Sequence, residues 1–313
     1  MWKLIKAKIK DHLPFLVLTR LYYLYCLFSF FPRTELNRRR AKLPLLNAVN
    51  LFTYKSSDVL FILGSGSSIN KISHDRWMAI SNADTIGLNF WPYHRFVPKI
   101  YFYESTPAGW PPDAEYLRLI ATRAHDYVNT LKITTDMVQP GHLHIFDYPD
   151  LWMKNHYAAF TVPAAVRTDQ EFGRALQYLI SKGLFRQRNR VLFLFKHCGT
   201  ISTLVSLGAI MNYKKIVLCG VDLKDSYYFY QDRLLYPDSA NMEFTPKGSA
   251  HPTMTRHSWG NVPINVVLSC MKKKILQPNG IELYVEHTDS ALWPEVPVAP
   301  QELYDGLLRS HAQ

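Results

Sequence analysis

The stretch that decides the fold is DVLFILGSGSSIN, residues 58–70. It joins a short apolar run, Val59–Leu63, to a glycine-serine turn and then to the polar start of a helix. An apolar run of this length, bounded by a turn and followed by a helix, predicts a buried strand of a parallel sheet. Glycines in such a turn let a phosphate approach the backbone, and the start of the helix offers free N–H donors.

The same alternation of strand and helix continues along the chain. Strands are predicted at 83–90, 99–105, 143–148, 189–195, 214–222 and 281–286, and helices at 113–126, 169–183, 201–212 and 261–280. Strands that alternate with helices predict an α/β fold, a Rossmann-like and mostly parallel sheet with helices on both faces. In such sheets ligands bind at the carboxyl ends of the strands, so the turns that follow the strands are the first candidates for a site.

Charge and composition divide the chain into parts. The 313 residues carry a net charge of +11, and residues 1–42 hold ten Lys or Arg against two acids, which leaves only +3 for the rest. A nearly neutral body argues against a nucleic-acid partner. We predict a basic aromatic segment at 1–42 that associates with a membrane. A Rossmann-like domain at 57–290 with a small lid at about 224–260 follows, and then a C-terminal tail at 291–313.

The apolar run LPFLVLTRLYYLYCLFSFF, residues 13–31, leaves three alternatives open. It is long enough to span a bilayer once, but it contains Arg20 and several aromatics that suit the headgroup boundary. It can therefore be an interfacial anchor on the cytoplasmic leaflet, a single spanning anchor, or a helix packed on the body of the protein. The expected location is the cytoplasmic side of the inner membrane, peripheral or singly anchored.

Several chemical patterns are missing from the sequence. Four cysteines form no C-x-x-C pair, which argues against a disulfide framework or a zinc site. No D-x-D occurs, so a nucleotide-sugar transferase of this sequence would need no metal and would stabilise its leaving group with side chains. No cofactor is expected beyond an activated sugar that serves as co-substrate.

The glycine-serine turn by itself has three interpretations. It can bind the phosphate or ribose of a nucleotide, it can be a tight strand–helix turn, or it can be half of a dinucleotide site. The last option draws on Asp84, which follows Gly66 at about the distance of a ribose-binding acid.

A second stretch, GTISTLVSLGAIMNYKKIVLCGVD at 199–222, is more specific. Together with the opening turn, it resembles the bacterial sialyltransferases of glycosyltransferase family 42, over roughly residues 58–290. Those enzymes open with a Gly-Asn-Gly-Pro-Ser turn, carry a Thr-Ser-Gly helix start before a Gly-Ile-Asp strand exit, and finish with a Gly-His-Ser segment. The resemblance implies a Rossmann-like domain with a lid, a CMP-sialic acid donor, independence from metals and association with a membrane.

The resemblance also implies a set of donor-binding positions. Ser65 stands where the family has Asn, Asn89 matches a family Asn that contacts the nucleotide, and Glu104 stands where the family has another Asn. A carboxylate at Glu104 would repel phosphate but can accept from the base or the ribose. The implied donor contacts are Gly64, Ser65, Gly66, Ser67, Asn89, Gly199, Thr200, Gly220 and Asp222.

The catalytic positions follow from the segment after Asp222. Lys224 takes the place of the first of two family tyrosines that hold the leaving phosphate, and the second is Tyr227, Tyr228 or Tyr230. His251 matches the general-base histidine by its place in the chain, and His257 competes with it. A histidine suits the role because its pKa lies near neutrality.

These observations predict a glycosyltransferase that moves sialic acid from CMP-sialic acid to a hydroxyl of a cell-surface glycan or glycolipid. The reaction would be a metal-independent inverting displacement in lipopolysaccharide or capsule biosynthesis. A CMP-Kdo transferase on the same fold, a nicotinamide-binding oxidoreductase and a non-catalytic membrane adaptor are the alternatives. A second copy of the chain, in a homo-oligomer, completes the set of partners considered.

Overall fold

A computed structural model gives the fold and describes residues 14–104, 113–135, 144–164, 166, 168–185, 193–239, 249–254 and 262–310. The strands are β1 Val59–Leu63, β2 Asp84–Leu88, β3 Ile100–Glu104, β4 Leu131–Thr135, β5 His156–Ala158, β6 Phe160–Pro163, β7 Phe193–Lys196, β8 Lys215–Cys219 and β9 Glu282–Val285. The helices are α1 Phe15–Tyr25, α2 Phe31–Arg40, α3 Ala48–Phe52, α4 His74–Ser81, α5 Asp113–Arg123, α6 Asp150–Met153, α7 Asp169–Ser181, α8 Thr200–Ile210, α9 Ile264–Met271 and α10 Gln301–Arg309.

Seven of the strands form one parallel sheet in the order β5-β4-β3-β2-β1-β8-β9. β1 lies at the point where the order reverses, with Leu60 opposite Asp84 of β2 on one side and Ile216 of β8 on the other. The predicted mostly parallel α/β sheet is therefore confirmed. In a sheet of this kind, the crevice at the reversal point is where ligands bind, which here is the carboxyl edge between β1 and β8.

The sheet is buried on both faces, as the continuous apolar strands predict. Leu60 and Ile62 of β1 face a core that α7, α8 and α9 cover, while Phe61 and Leu63 face a second core under α4, α5 and α10. All four of these side chains are fully buried. The helices therefore lie on both faces, which confirms the predicted layer order.

Two strand predictions need correction. The segment 143–148 is not a strand: His144–Asp147 forms a single 3₁₀ turn, because the buried Ile145 and Tyr148 are three residues apart and share one side of that turn. The run at 189–195 does yield β7, but β7 pairs with β6 in a separate two-stranded parallel sheet rather than joining the main one.

The helix predicted at 261–280 is broken in the structure. α9 ends at Met271, a wider π turn follows at Lys272–Leu276, and a 3₁₀ turn leads to Gly280. Gly280 has a φ of 66°, the left-handed conformation that favours glycine at the end of a helix. β9 then begins two residues later, as expected.

The N-terminal segment packs on the body along one side. α1 and α2 are joined by a π turn at Cys26–Phe30, and no helix of the described residues has both the length and the apolar character to cross a membrane. The ring of Tyr23 meets that of Tyr178 in α7, and the ring of Phe31 lies 4.4 Å from that of Phe160 in β6, between centroids.

The segment predicted as a C-terminal tail contains α10, which packs against α4. Tyr304 is buried on β1, with its ring centroid 5.9 Å from that of Phe61. Its hydroxyl donates to the carboxylate of Glu286, which also pairs with Arg76 at 2.5 Å. Residues of this segment therefore complete one face of the sheet.

Asp84 does not lie at the candidate site. It is the first residue of β2, at the amino edge of the sheet, and it is fully buried. Its carboxylate accepts hydrogen bonds from the Ser56 and Ser57 N–H groups, the Tyr213 hydroxyl and the Lys99 ammonium, at 2.8–3.0 Å. Burial opposes its ionisation, but these hydrogen bonds outweigh burial and lower the pKa of Asp84. A structural carboxylate at the amino edge cannot hold a ribose at the carboxyl edge, so the dinucleotide interpretation loses its support.

Candidate functional site

The glycine turn after β1 is packed directly against the end of β8. The Gly64 N–H donates to the Cys219 carbonyl and the Gly66 N–H to the Gly220 carbonyl, both at 2.7 Å. A Cβ at Gly64 would lie 2.5 Å from the Gly220 oxygen, and a Cβ at Gly66 would overlap the carboxylate of Asp222. Both glycines are therefore required by the contact between two loops, whatever ligand they bind.

Asp222 fixes the start of the short helical turn Ser67–Lys71. One carboxylate oxygen accepts from the Ser68 N–H at 2.9 Å, and the other accepts from the Ser68 hydroxyl. Asp222 thus has a structural partner that the sequence did not indicate. Two carboxylate oxygens offer about four acceptor sites, so a ribose hydroxyl can still bind there.

The predicted lid begins on the glycine turn itself. Tyr228 pairs with Gly66 through an isolated antiparallel bridge, and the Phe229 N–H donates to the Ser65 carbonyl at 2.9 Å. The Asn70 side chain donates to the Phe229 carbonyl at 3.0 Å. Residues on both sides of the turn therefore hold this part of the lid in place.

The three lid tyrosines have different surroundings. The Tyr227 hydroxyl donates to the Gln231 carbonyl at 2.8 Å, and Tyr230 is buried between the rings of Tyr93 and Tyr228. The Tyr228 hydroxyl lies 3.5 Å from Nε2 of His251. Tyr228 is therefore the lid tyrosine that the structure brings to the predicted base.

Lys224 points to another part of the molecule. Its ammonium lies 3.4 Å from the carbonyl oxygen of Thr288, in the loop after β9. The leaving-group contact predicted for Lys224 would require this side chain to leave Thr288.

His251 is held from two directions. Its backbone N–H donates to the Leu223 carbonyl at 3.1 Å, and the Ser226 N–H donates to the Ser249 carbonyl at 3.0 Å, so the two ends of the lid are tied together. Burial lowers the pKa of His251 below its usual 6.5. The imidazole is therefore neutral at pH 7, the form that a general base requires.

Thr253 determines which nitrogen of His251 carries the proton. Its hydroxyl lies 2.8 Å from Nδ1, and its backbone N–H donates to the same nitrogen at 3.3 Å. Because a backbone N–H can only donate, this geometry assigns the lone pair to Nδ1 and the proton of the neutral ring to Nε2, on the side of Tyr228.

A third group of residues lies where β3 and β7 end. The carboxylate of Glu104 accepts from the Thr200 hydroxyl at 2.5 Å and pairs with the Lys196 ammonium at 2.8 Å. Thr200 is the first residue of α8, whose free N–H groups favour an anion. Glu104 therefore holds two groups that can both donate to a phosphate.

The turn before α8 connects this group to His251. Cys198 and Gly199 have φ values of 54° and 120°, and a Cβ at Gly199 would lie 3.4 Å from the Thr253 methyl. The Cys198 thiol lies 3.2 Å from the Thr253 carbonyl oxygen. Burial raises the pKa of Cys198 to about 11, so this thiol is not a nucleophile at neutral pH.

Asn89 is the first residue after β2, at the carboxyl edge of the sheet. It has a φ of 48°, its N–H donates to the Phe102 carbonyl at 3.0 Å, and its carbonyl accepts from the Tyr101 hydroxyl. The backbone of Asn89 is therefore fixed at the carboxyl edge, where the sequence predicted it.

Five of the predicted positions lie along one chain of contacts, which runs from Gly66 through Tyr228 and His251 to Gly199 and Thr200. Lys224 lies outside it. Lys196 and Thr253 belong to it, and the sequence analysis missed both. Lys196 is the polar residue that ends the otherwise apolar strand β7, which is a signal that could have found it. His257 lies outside the described residues. Within the described residues, no group of three or more His, Cys, Asp or Glu side chains could hold a metal ion.

The chain matches no protein-family model and no curated protein. Similar solved structures include the sialyltransferase CST-II in complex with a trisaccharide acceptor and CMP, at 15% identity and a TM-score of 0.39. They also include the sialyltransferase CstII from Campylobacter jejuni in complex with the substrate analogue CMP-3FNeuAc, at 16% identity and a TM-score of 0.39. Each similarity covers 77% of this chain and 86% of the other. A TM-score of this size assigns neither activity nor substrate, so the function rests on the chemistry of the site.

The packing of the glycine turn gives a first prediction. We expect Gly66→Ala to destabilise the fold by about 1–3 kcal/mol, because the new methyl group overlaps Asp222 and the tightly packed loop must shift. Gly306→Ala is the matched control, since a Cβ there meets nothing within 4 Å and alanine favours the helix. Urea unfolding of both variants measures the effect. Equal stability of Gly66→Ala and the parent would show that the contact with β8 does not constrain the turn.

Proposed function

We propose that this protein is a glycosyltransferase that moves an acidic sugar, with sialic acid as the first choice, from a CMP donor to a glycan hydroxyl. The observation that carries the proposal is the position of His251, neutral and half-buried, beside Tyr228 on the glycine turn. A displacement at an anomeric carbon requires a base for the acceptor hydroxyl and a donor for the departing phosphate, and His251 and Tyr228 can supply them.

Donor binding is assigned to the edge of the sheet between the glycine turn and α8. The donor phosphate would accept a hydrogen bond from the Thr200 hydroxyl and form an ion pair with the Lys196 ammonium. It would compete with the carboxylate of Glu104 for both groups. Released from these partners, the carboxylate of Glu104 can accept from a hydroxyl or amine of the donor, which fits a nucleoside better than a bare phosphate. The choice of CMP comes from the sequence resemblance to family 42.

The proton transfer is assigned to Nε2 of His251. In the free protein Nε2 carries the proton, so the ring must take the other tautomer before Nε2 can accept a proton from the acceptor hydroxyl. Nδ1 would then donate to the Thr253 hydroxyl, which can accept as well as donate, and the Thr253 N–H would give up its 3.3 Å hydrogen bond to Nδ1. As the acceptor oxygen bonds to the anomeric carbon, the bond from that carbon to the phosphate oxygen breaks and CMP leaves. The Tyr228 hydroxyl would donate to the departing phosphate, and His251 would release its proton to solvent after the transfer.

Ligand-dependent stability separates this proposal from its alternatives. We expect CMP at about 100 times its dissociation constant to stabilise the protein by about 2.7 kcal/mol, because it binds only the folded chain. NAD at the same concentration should have no effect. Thermal unfolding measures both, and product analysis with CMP-sialic acid and CMP-Kdo then identifies the donor. Stabilisation by NAD alone would favour the oxidoreductase, and no stabilisation by either would favour the adaptor.

The role of His251 gives a prediction for the chemical step. We expect His251→Ala to lower the transfer rate by about 10²–10⁴-fold, the usual contribution of a general base, with CMP binding nearly unchanged. In the parent, the rate should fall at low pH with a midpoint below 6.5, because burial lowers the pKa of His251 and the base fails only when it is protonated.

His125→Ala is the matched control, because His125 is an exposed histidine beyond the end of α5. It should leave both the rate and the pH profile unchanged. If His251→Ala kept most of the activity and the same acidic midpoint, the base would have to be another group, with His257 the next candidate.

A further inference from the structure

The N-terminal segment has a second face that is exposed in the described part of the chain. One side of α1 packs on α7, and the start of α2 packs on β6. The other side of α1 and of the π turn after it exposes a row of large apolar side chains. Their spacing of three or four residues places them on one side of the helix. We define them as the outer stripe: Val17, Leu21, Leu24, Tyr25 and Phe28.

The outer stripe is unusual for this protein. Leu21 is 50% exposed and Phe28 is 77% exposed. Of the twelve exposed large hydrophobic side chains in the described part of the chain, six lie between residues 14 and 42, the sixth being Leu36. Single exposed apolar residues are common, but a contiguous row of them marks a surface that binds a membrane or another molecule.

Basic side chains surround the outer stripe. Residues 14–42 contain six Lys or Arg and a single acid, Glu35, whose carboxylate pairs with Arg38 and Arg39 at 2.6 Å. Arg20 lies beside the stripe on α1, and Arg33, Arg40 and Lys42 are exposed further along. An apolar row flanked by cations matches the surface of a bilayer that contains anionic lipids.

We propose that the outer stripe docks the protein on an anionic lipid surface, with α1 lying in the plane of the headgroups. The opposite face remains on α7 and β6, so the helix joins membrane and body without spanning the bilayer. A second copy is a poorer occupant, because two such faces would bring two sets of cations together. Docked this way, the body is held at the membrane through its own packing rather than through a flexible tether.

Vesicle binding by the full chain tests this proposal. The protein should sediment with vesicles of phosphatidylcholine and phosphatidylglycerol, bind those of phosphatidylcholine alone more weakly, and lose affinity as salt increases. We expect the triple variant Leu21→Ser, Leu24→Ser, Phe28→Ser to bind at least about tenfold more weakly, because it removes buried apolar area at the interface. The matched control is Met78→Ser with Leu308→Ser, two exposed apolar residues elsewhere, and it should bind like the parent.

Two further measurements keep the test decisive. A Phe28→Trp variant in the otherwise unchanged chain should show extra fluorescence quenching by brominated lipids, and Met78→Trp should not. Size-exclusion chromatography of the triple variant reports self-association. Unchanged vesicle binding by the triple variant, no extra quenching at position 28, or loss of a dimer instead of lipid binding would each overturn the proposal. CMP binding is measured on the same samples, so failure here is distinct from failure of the transferase assignment.

Discussion

The backbone contact between the glycine turn and the end of β8 is the constraint on which the rest of the site depends. With Gly64 and Gly66 bonded at 2.7 Å to the carbonyls of Cys219 and Gly220, no side chain fits between the two loops. The contact lies where the strand order reverses, so it closes the base of the crevice in which such sheets bind ligands. The chain that leaves β8 is thereby directed over the turn, and it pairs with Gly66 at Tyr228.

This arrangement explains how a histidine distant in sequence reaches the turn. The lid leaves β8 and returns to it, since His251 donates to the Leu223 carbonyl at 3.1 Å. The imidazole is then fixed at both nitrogens, by Thr253 on one side and Tyr228 on the other. Cys198 and Gly199 adopt positive φ values, and this turn packs the start of α8 against Thr253, so one set of contacts positions both His251 and α8.

The features predicted from the sequence are those that a local residue pattern determines. The features missed are those that depend on pairing between residues far apart in the chain. β1 is a continuous apolar run and β8 is one after its first residue, both are followed by turn residues, and both were predicted. β4, with the polar letters LKITT, lacked that signal, and it is a strand because it pairs with β3 along five residues. Asp84 follows Gly66 at the spacing of a ribose-binding acid, but it begins β2 and therefore lies at the amino edge of the sheet, away from the site. The pairing of Glu104 with Thr200 joins residues almost a hundred positions apart, so no local pattern could show it. The choice among three lid tyrosines likewise depends on the bridge at Gly66.

We propose that a nucleotide binds at the carboxyl edge of the sheet, between the glycine turn after β1 and the start of α8, under the lid. Amide hydrogen exchange with and without CMP tests it most directly, because it reports the position of binding along the chain without requiring the acceptor. We expect CMP to slow amide hydrogen exchange in three places: the turn at residues 64–70, the start of α8 at 199–203, and the lid at 223–231. Exchange at the amino edge, around residues 84 and 99, should stay the same. Protection confined to the amino edge, or no protection in any of the three segments at saturating CMP, would contradict it.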